Sequence, residues 1–362
     1  MLSRIRDKVL SGKRVTENDA LKLFESEDLF TLGKLATHRA EMKNGKKAYF
    51  IRNRHVNPTN ICVNRCRFCA FSRSKGQEGA FELTIREIIR KLRNSSEISK
   101  GVQTGISEVH IVGGLHPDWP FEYYLEMVSA IRKNFPGLHI KAFTAVEVDY
   151  MSRISGLSLA ETLSALKTSG LGSMPGGGAE IFDPGIRNRL CPEKITGKRW
   201  IEVMETAHRV GLKTNATMLY GHIENYRHRV GHLLELRKLQ DKTGGFQAFI
   251  PLAYHPRNTQ IKGRYTSGID DIKTIAVSRL VLDNFDHIKA YWIMLGEKIS
   301  QLALKFGADD IDGTIIEEKV THSAGGLTGG QLTAEELVHL IKKAGKIPVE
   351  RDSFYQKVRN YR

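Results

Sequence analysis

Three of the four cysteines in the chain lie in one short stretch whose spacing suits a metal centre. Cys62, Cys66 and Cys69 follow the pattern Cys-x3-Cys-x2-Cys, whereas Cys191 is far away in the sequence. Thiolates are soft ligands that prefer iron–sulfur clusters, zinc or copper(I). Three thiolates on one loop can hold three corners of a cubane cluster, which leaves one iron open to bind a cofactor. We therefore predict a [4Fe-4S] cluster bound by these three cysteines and not by Cys191.

A structural zinc site is the alternative interpretation, with a histidine such as His55 or His110 as the fourth ligand. Structural zinc sites usually combine two pairs of the type Cys-x2-4-Cys or His-x3-5-His. The sequence has no second cysteine pair of this kind. The spacing therefore favours the cluster over zinc.

Further polar residues and glycines follow predicted strands, where a barrel places its active site. The Gly113-Gly114 pair would let a ligand's amino and carboxylate groups approach the backbone. Glu147 and Glu180 could accept hydrogen bonds from ribose hydroxyls, with ordinary salt bridges as an equal alternative. Five residues in or just after the fifth and sixth strands are candidates to hold a substrate: Asn215, Tyr220, His222, His255 and Arg257. Of these, Arg257 could form a bidentate pair with a carboxylate.

Alternating strand and helix patterns from Lys47 to about residue 315 must position these residues. The predicted strands are 48–56, 108–113, 139–145, 172–175, 213–220, 246–252, 287–293 and 310–314. The predicted helices between them are 83–98, 121–135, 158–169, 198–210, 226–241, 270–284 and 297–306. Such alternation predicts right-handed parallel crossovers, and the strand count matches a (β/α)8 TIM barrel. A doubly wound sheet is less favoured, and the short strand 172–175 leaves an open barrel with fewer core strands as a variant.

Two flanking regions complete the α/β chain, so that the predicted domains are 1–45, 46–316 and 317–362. Residues 1–45 predict a cap of short helices, with Thr16 as a helix N-cap. Residues 317–362 predict a helical extension packed on the barrel, with a last helix near 333–344 that Thr333 caps. The glycine-rich stretch 324–330 between them is either a lid over the barrel mouth or a linker.

The bulk composition fits a globular enzyme. The chain has 362 residues, of which 41% are hydrophobic and 33 are glycine. It has no apolar run long enough to cross a membrane, and its first residues lack the apolar segment of a signal peptide. A cysteine triad plus one lone cysteine does not form a disulfide framework. We therefore predict a cytoplasmic protein without a membrane partner.

A net charge of +15 is the unusual bulk property of the chain. It suits an anionic small-molecule substrate or nucleic acid. The last twenty-two residues, from Ile341, contain seven Lys or Arg and two Asp or Glu. Such a tail could bind RNA, but scattered surface charge is ordinary, so we favour a solvated tail and expect no nucleic-acid partner.

The cysteine stretch, with Phe68 just before its last cysteine, resembles the signature of radical S-adenosylmethionine (SAM) enzymes. Longer segments resemble one group of them, the aminofutalosine synthases of the futalosine route to menaquinone: 55–62, 172–180, 215–224, 245–252 and 289–296. The resemblance covers roughly residues 15–352. Segment 217–224 departs from the group's Gly-x-Ile-x-Gly-x-x-Glu pattern, because Thr217 and Leu219 replace its Gly and Ile.

The resemblance implies a radical SAM barrel whose cofactors are a [4Fe-4S] cluster and SAM, with Phe68 and the Gly113–Gly114 pair beside the SAM. It implies addition of a 5′-deoxyadenosyl radical to 3-[(1-carboxyvinyl)oxy]benzoate, followed by loss of CO2, to give 6-amino-6-deoxyfutalosine and methionine. An anionic substrate suits a basic protein, and a flavodoxin or ferredoxin is the implied reductant. We expect four of these candidates, Asn215, His222, His255 and Arg257, to hold one or both of the substrate's carboxylates.

Other functions stay open at this point. The sister enzymes dehypoxanthine futalosine cyclase and the deazaflavin cofactor synthases share the cysteine loop. A radical SAM tRNA-modifying enzyme would suit the positive charge, although no appended RNA-binding domain is visible in the sequence. A non-catalytic electron carrier would not need converging polar residues at a barrel mouth. The sequence leaves the oligomeric state open, a homodimer included.

Overall fold

Parallel strands surrounded by helices make up the centre of the structure. The structure is a computed structural model that describes residues 2–94 and 105–361. The helices are α1 (Ser3–Leu10), α2 (Glu17–Glu25), α3 (Leu29–Asn44), α4 (Ile85–Asn94), α5 (Phe121–Asn134), α6 (Ala145–Ser155), α7 (Leu159–Ser169), α8 (Pro184–Leu190), α9 (Gly197–Arg209), α10 (Tyr226–Thr243), α11 (Gly268–Val281), α12 (Trp292–Leu295), α13 (Glu297–Ala303), α14 (Val320–Ser323) and α15 (Ala334–Lys343). The strands are β1 (Lys47–Ile51), β2 (Asn53–Val56), β3 (Glu108–Ile111), β4 (His139–Ala142), β5 (Ser173–Met174), β6 (Lys213–Tyr220), β7 (Phe246–Ala253), β8 (His287–Ile288), β9 (Asp310–Gly313), β10 (Ile347–Arg351) and β11 (Lys357–Asn360). Part of the predicted helix 83–98, from residue 95 onward, lies outside the described residues.

Strands β2 to β9 form a ring. Strands β2 to β8 pair in chain order, and each of these pairs is parallel. Strand β9 closes the ring, because Lys289 after β8 pairs with Asp310 and Arg54 of β2 pairs with Ile316 just after β9. The predicted (β/α)8 barrel is therefore confirmed, and the described strands do not form the doubly wound sheet or the smaller open barrel.

The predicted strand 48–56 is divided at Arg52 into two strands that belong to different sheets. Strand β1 pairs with β9 and with β10, and β11 pairs antiparallel to β10. Strand β2 pairs with β3 in the ring. The C-terminal extension therefore contributes two strands that the helical prediction lacked. The prediction of a solvated C-terminal tail is also wrong in part, because Arg351 of this segment is fully buried.

The predicted strand 287–293 is wrong in its second half. Strand β8 ends at Ile288, and the apolar run after it forms the short helix α12. The indole nitrogen of Trp292 donates to the Gly313 carbonyl oxygen at 2.8 Å, which fixes this turn against β9. A short apolar run that is buried on all sides does not distinguish strand from helix by periodicity. Strand β4 likewise ends before residue 145, where helix α6 begins.

The predicted helix caps are confirmed. The Thr16 hydroxyl accepts from the Asp19 amide, and the Asp19 carboxylate accepts from the Thr16 amide, so that both form a capping box. Thr333 and Glu336 form the same motif at α15. Gly45 ends α3 with φ of 60°, a backbone conformation that glycine adopts without strain. None of the described helices is long and apolar enough to cross a membrane.

The N-terminal end of the ring is filled by paired charges. The Lys141 ammonium lies 2.6 Å from the Glu108 carboxylate, and both are buried. Burial alone would raise the pKa of Glu108, but Lys141 and Lys289 hold it well below its usual range. Arg351, from outside the ring, pairs with Asp310 at 2.7 Å, and its guanidinium lies 4.1 Å from the Tyr355 ring centroid. These pairs and the segment after β10 close this end, so that the open mouth is at the other end.

The Glu108–Lys141 pair yields a stability prediction. The substitution Lys141→Met leaves the buried Glu108 carboxylate without its hydrogen-bonding partner, so it should lower the free energy of unfolding by about 3–5 kcal/mol. Urea unfolding of the full chain measures this loss. The double variant Glu108→Leu/Lys141→Met removes both charges and should recover most of it. Equal stability of the single variant and the wild type would contradict the structural role of the pair.

Candidate active site

A cavity of about 280 Å³ opens at the C-terminal ends of the ring strands. Its lining includes the three clustered cysteines and the five predicted cofactor residues: Cys62, Cys66, Cys69, Phe68, Gly113, Gly114, Glu147, Glu180. Side chains at or after the ends of other strands also line the cavity: Leu219, Leu252, His255, Met294 and Thr321. The structure thus brings the predicted cluster ligands and cofactor residues to one cavity at the barrel mouth, where barrel active sites form.

The cysteine loop is held at the mouth by backbone hydrogen bonds to its neighbours. The Cys62 amide donates to the Arg73 carbonyl oxygen at 3.0 Å, and the Val63 amide donates to that of Leu115 at 3.0 Å. The Cys69 amide donates to the Cys66 carbonyl oxygen at 2.9 Å. All four cysteines are free thiols. The loop therefore presents three unpaired sulfur ligands from a fixed backbone.

Gly114 is required for the close approach of β3 to the cysteine loop. A Cβ atom at this position would lie 2.1 Å from the Ile61 carbonyl oxygen and 3.0 Å from the Cys62 Cβ. The Gly114 amide donates to the Thr59 carbonyl oxygen at 2.9 Å. The second glycine of the predicted pair therefore serves the packing of the cluster loop, in addition to any contact with a ligand.

The substitution Gly114→Ala tests this packing. The added methyl group should displace the cysteine loop and lower the iron content and visible absorption of the reconstituted protein several-fold. Gly137→Ala is a matched control, because a Cβ there would meet no atom within 4 Å. Iron content of the Gly114 variant equal to that of the control would show that the loop can shift without losing its ligand geometry.

Glu147 joins helix α6 to the end of β3. Its carboxylate accepts from the Thr144 amide at 2.7 Å, which completes a capping box, and from the Gly113 amide at 3.1 Å. Burial raises the pKa of Glu147 to about 7, while the two backbone donors oppose that rise. The salt-bridge interpretation does not apply to this carboxylate, whose hydrogen bonds go to backbone amides. Its role toward a ribose stays a prediction.

Glu180 does form an ion pair, with a residue that no sequence pattern marks. The Lys194 ammonium lies 2.6 Å from the Glu180 carboxylate and 4.9 Å from the Phe68 ring centroid. Burial alone would lower the pKa of Lys194, but Cys66 and Glu180 raise it above its usual range. The Lys194 ammonium, in its ion pair with Glu180, thus lies at the cavity beside the cysteines, where it would oppose the negative charge of a thiolate-bound cluster.

Cys191 lies beside the cysteine loop despite its distance in the sequence. Its side chain is hydrogen-bonded to Cys66, and this contact together with burial raises the pKa of the Cys66 thiol. The Arg67 amide donates to the Leu190 carbonyl oxygen at 2.8 Å, which fixes the two segments together. Cys191 is nevertheless not one of the described residues that line the cavity.

Because Cys191 lies beside Cys66, substitution of Cys191 tests directly which thiols bind the cluster. If Cys62, Cys66 and Cys69 are the ligands, Cys191→Ser should keep full iron content and the visible absorption of the cluster. Cys66→Ser, which changes the sulfur that Cys191 contacts, is the matched comparison and should lose both. Loss of the cluster in the Cys191 variant would assign that thiol as a ligand.

The zinc alternative is not favoured by the arrangement of the histidines. His55 and His110 lie against each other, with ring centroids 4.5 Å apart, and neither lines the cavity. Among the described residues, no three His, Cys, Asp or Glu side chains converge as a single metal ion requires. In a cubane each thiolate binds a different iron, so a cluster does not require the three sulfur atoms to converge on one ion.

Of the predicted substrate residues, His255 lines the cavity. Its Nε2 lies 3.0 Å from the Met294 carbonyl oxygen, so Nε2 carries the proton. Burial lowers the pKa of His255, and its buried Nδ1 has no hydrogen-bond partner among the described residues. A neutral ring with a free acceptor nitrogen suits a hydroxyl or N–H donor. The prediction that His255 holds a carboxylate is therefore not supported.

Tyr220 and His222 are placed outside the cavity, contrary to prediction. Leu219 lines the cavity, and because side chains alternate along a strand, Tyr220 faces the helices. Its hydroxyl donates to the Asp271 carboxylate at 2.7 Å. His222 is fully buried between the Leu219 carbonyl oxygen at 3.0 Å and the Glu224 carboxylate at 2.9 Å, where it stabilises the turn after β6.

Asn215 and Arg257 also do not join the cavity. Asn215 is buried on the inner face of β6, deeper in the ring than Leu219. Arg257 is exposed, and its side chain lies against Gly325 on the outer side of the glycine-rich stretch. The structure therefore does not bring the predicted carboxylate-holding residues together.

The glycine-rich stretch 324–330 lies against the mouth of the barrel. Ala324 lines the cavity, as do Val320 and Thr321 of the short helix before it. The Tyr265 hydroxyl donates to the Gly325 carbonyl oxygen at 3.1 Å, and the Thr328 hydroxyl donates to that of Ile293 at 2.9 Å. Of the two predicted roles, this placement favours a cover over a linker.

Two family patterns match the chain. The radical SAM superfamily pattern matches residues 56–236, and the pattern described as the CofH/MqnC C-terminal region matches residues 243–361. These matches span the cysteine loop, the barrel and the C-terminal strands.

Named relatives are similar over nearly the whole chain. The aminodeoxyfutalosine synthase of Thermus thermophilus is 46% identical over 98% of this chain and 95% of its own length. The 5-amino-6-(D-ribitylamino)uracil–L-tyrosine 4-hydroxyphenyl transferase of Methanococcoides burtonii is 38% identical over 98% of this chain and 99% of its own. The crystal structure of methylornithine synthase (PylB) has a TM-score of 0.74 at 18% identity and covers 95% of this chain and 96% of that chain, a likeness in fold.

Proposed function

Because the chain belongs to the radical SAM superfamily, we propose that it joins the 5′-deoxyadenosyl group of SAM to 3-[(1-carboxyvinyl)oxy]benzoate and so forms 6-amino-6-deoxyfutalosine in menaquinone biosynthesis. The observation that carries this proposal is the identity of 46% over 98% of the chain with an aminodeoxyfutalosine synthase. The name of that relative describes the proposed product.

The cofactors of the superfamily are a [4Fe-4S] cluster and SAM, and the residues at the mouth fit them. Cys62, Cys66 and Cys69 would hold the cluster, and the ammonium of Lys194 beside them would offset its charge. Gly113 and Gly114 leave backbone exposed at the cavity wall for the methionyl group. When bound and reduced, these cofactors supply the 5′-deoxyadenosyl radical. A flavodoxin or ferredoxin is the proposed source of the electron.

The cavity walls suit a reaction that depends on positioning. Side chains of Leu219 and Leu252, which pair across β6 and β7, and of Met294 form an apolar surface opposite the candidate cofactor residues. Such a surface can hold an aryl ring and exclude water while the alkene carbon lies next to the radical carbon. Holding two reacting atoms in place can supply roughly 7–11 kcal/mol of the barrier reduction.

In the overall reaction, the bond between sulfur and the 5′-carbon of SAM breaks and that carbon forms a new bond to the alkene. The aryl group moves from the ether oxygen to the neighbouring carbon, so that the aryl–oxygen bond breaks and a ketone forms. The adjacent carboxylate leaves as CO2, which releases the one electron that was used to cleave SAM. None of these steps needs a strong protein acid or base. This agrees with a cavity whose carboxylates are already engaged, Glu180 with Lys194 and Glu147 with backbone amides.

The competing function is transfer of a tyrosine-derived hydroxyphenyl group to a ribitylaminouracil, which the 38% identical relative from Methanococcoides burtonii favours. Both functions would use the same cluster loop and SAM. They differ in the second substrate, so a direct comparison of substrates separates them.

The deciding assay gives cluster-loaded protein, SAM and dithionite either the enolpyruvyl benzoate or tyrosine with 5-amino-6-(D-ribitylamino)uracil. Mass analysis should find 6-amino-6-deoxyfutalosine in the first mixture and no coupled product in the second. The Cys62→Ala variant, which lacks a cluster ligand, should give no product in either. A coupled product in the second mixture alone would overturn the proposal.

A further inference from the structure

The cavity has two sides with different chemistry. The candidate cofactor residues Gly113, Glu147 and Glu180 follow strands β3, β4 and β5. The opposite side is formed by His255 after β7, by Met294 after β8 and by Val320, Thr321 and Ala324. The last three residues belong to the segment 320–330, which we call the cover. If the cofactor occupies the first side, the second side is left for the substrate.

A second hollow, of about 440 Å³, adjoins the cavity on this substrate side. It shares Asn60 and Phe71 with the cavity, so the two spaces adjoin at these side chains. Three basic residues from two segments line it: Arg73, Lys319 and His322. We call these three residues the basic rim.

Arg73 lies just after the cysteine loop in the sequence and carries an unneutralised charge. One of its terminal nitrogens donates to the carbonyl oxygens of Ala70 and Ser72, each at 2.9 Å. Among the described residues, no carboxylate forms an ion pair with it. Carbonyl oxygens orient the guanidinium but do not cancel its charge.

Lys319 adds a second charge that is only weakly paired. Its ammonium lies 3.7 Å from the Glu317 carboxylate, which is already bound at shorter range by Arg54 and Lys91. It also lies 4.9 Å from the Phe81 ring centroid, a cation–π position that holds it over the hollow. Two cations therefore already neutralise the acid that Lys319 approaches.

His322 is the third positive group of the rim. Its two ring nitrogens lie 2.6 Å from the Glu318 carbonyl oxygen and 3.0 Å from the Thr328 carbonyl oxygen. Because a carbonyl oxygen only accepts, both nitrogens carry protons and the ring is an imidazolium. The Glu318 carboxylate, which also accepts from the Thr321 amide, balances part of this charge. The rim as a whole keeps a positive surplus beside the substrate side of the cavity.

We infer that the basic rim binds the ring carboxylate of an aryl carboxylate substrate. Lys319 is the direct partner of that carboxylate, and Arg73 and His322 contribute additional positive charge near it. This inference rests on the proposed function. In that reaction the alkene must lie beside the cofactor, and the carboxylate next to the alkene is the one lost. The ring carboxylate is retained, so it can serve as a fixed handle through every step.

A cycle of two substrates and two enzymes tests the inference. The substrates are 3-[(1-carboxyvinyl)oxy]benzoate and the same ether without the ring carboxylate, and the enzymes are the wild type and Lys319→Gln. Loss of a hydrogen-bonded charge should raise the KM for the carboxylate substrate about tenfold, with a smaller change in kcat. For the analogue without the carboxylate, the same substitution should change KM less than about twofold, because the contact is missing in both enzymes.

Two further variants control for charge and for folding. Lys319→Arg keeps the positive charge and should restore most of the lost affinity. Lys298→Gln makes the same charge change on an exposed lysine of α13 away from the cavity, and should leave KM for both substrates unchanged.

Equal effects of Lys319→Gln on the two substrates, or none on either, would overturn the inference. A rise in the KM for SAM with both substrates would instead show that the rim holds the methionyl carboxylate, which also overturns it. If the wild type makes no 6-amino-6-deoxyfutalosine, the proposed function fails separately. The role of the rim is then tested by measuring the equilibrium affinity for benzoate without reductant. Lys319→Gln should weaken this binding and Lys298→Gln should not.

Discussion

The contact between Gly114 and the cysteine loop is the constraint on which the active site depends. The end of β3 can lie against the backbone of Ile61 and Cys62 only because Gly114 has no side chain. This contact is reinforced by the hydrogen bond from the Val63 amide to the Leu115 carbonyl oxygen, and it keeps three soft ligands at the wall of the cavity. A cluster bound there faces the ends of the parallel strands, so the cofactor and a substrate can meet inside the barrel.

Charge is distributed differently at the two ends of the ring. At the closed end, Glu108 with Lys141 and Asp310 with Arg351 form buried pairs at 2.6 and 2.7 Å. An unpaired charge buried away from water would cost several kcal/mol, so these groups must stay paired. They stabilise the barrel and are not available to bind a ligand. At the open end, water reaches the rim, and cations can keep a surplus charge for a ligand. A strongly basic chain is therefore compatible with a small anionic substrate without any nucleic-acid partner.

The named relatives catalyse different reactions, which the layout of the cavity explains. The cysteine loop and the ends of β3 to β5 form the side proposed for the cluster and SAM, where every member of the superfamily needs similar chemistry. The ends of β7 and β8 and the cover form the other side. Changes confined to that side could alter the second substrate without disturbing radical formation. A fold shared with methylornithine synthase at 18% identity fits this division, because the fold alone does not set the reaction.

Local patterns in the sequence were enough to predict the candidate cluster ligands and the general architecture. The spacing of Cys62, Cys66 and Cys69 is local, and so is the alternation of strands and helices that predicts a barrel. The capping boxes at Thr16 and Thr333 could be predicted for the same reason, since they involve residues three apart. Tyr220 was expected at the cavity, but the alternation of side chains along β6 places Leu219 inside and Tyr220 outside, and neither the composition nor the spacing fixes that phase.

Only the tertiary structure decided which distant residues meet. It placed Lys194 beside Glu180, Cys191 beside Cys66, and Lys319 near Arg73, and no sequence pattern relates these partners. It also showed that the C-terminal segment pairs with β1 and inserts Arg351 into the ring. The physical reason is that these contacts join chain segments whose separation is set by how the barrel closes. A ring of strands brings together residues from opposite ends of the sequence, and local patterns carry no record of that closure.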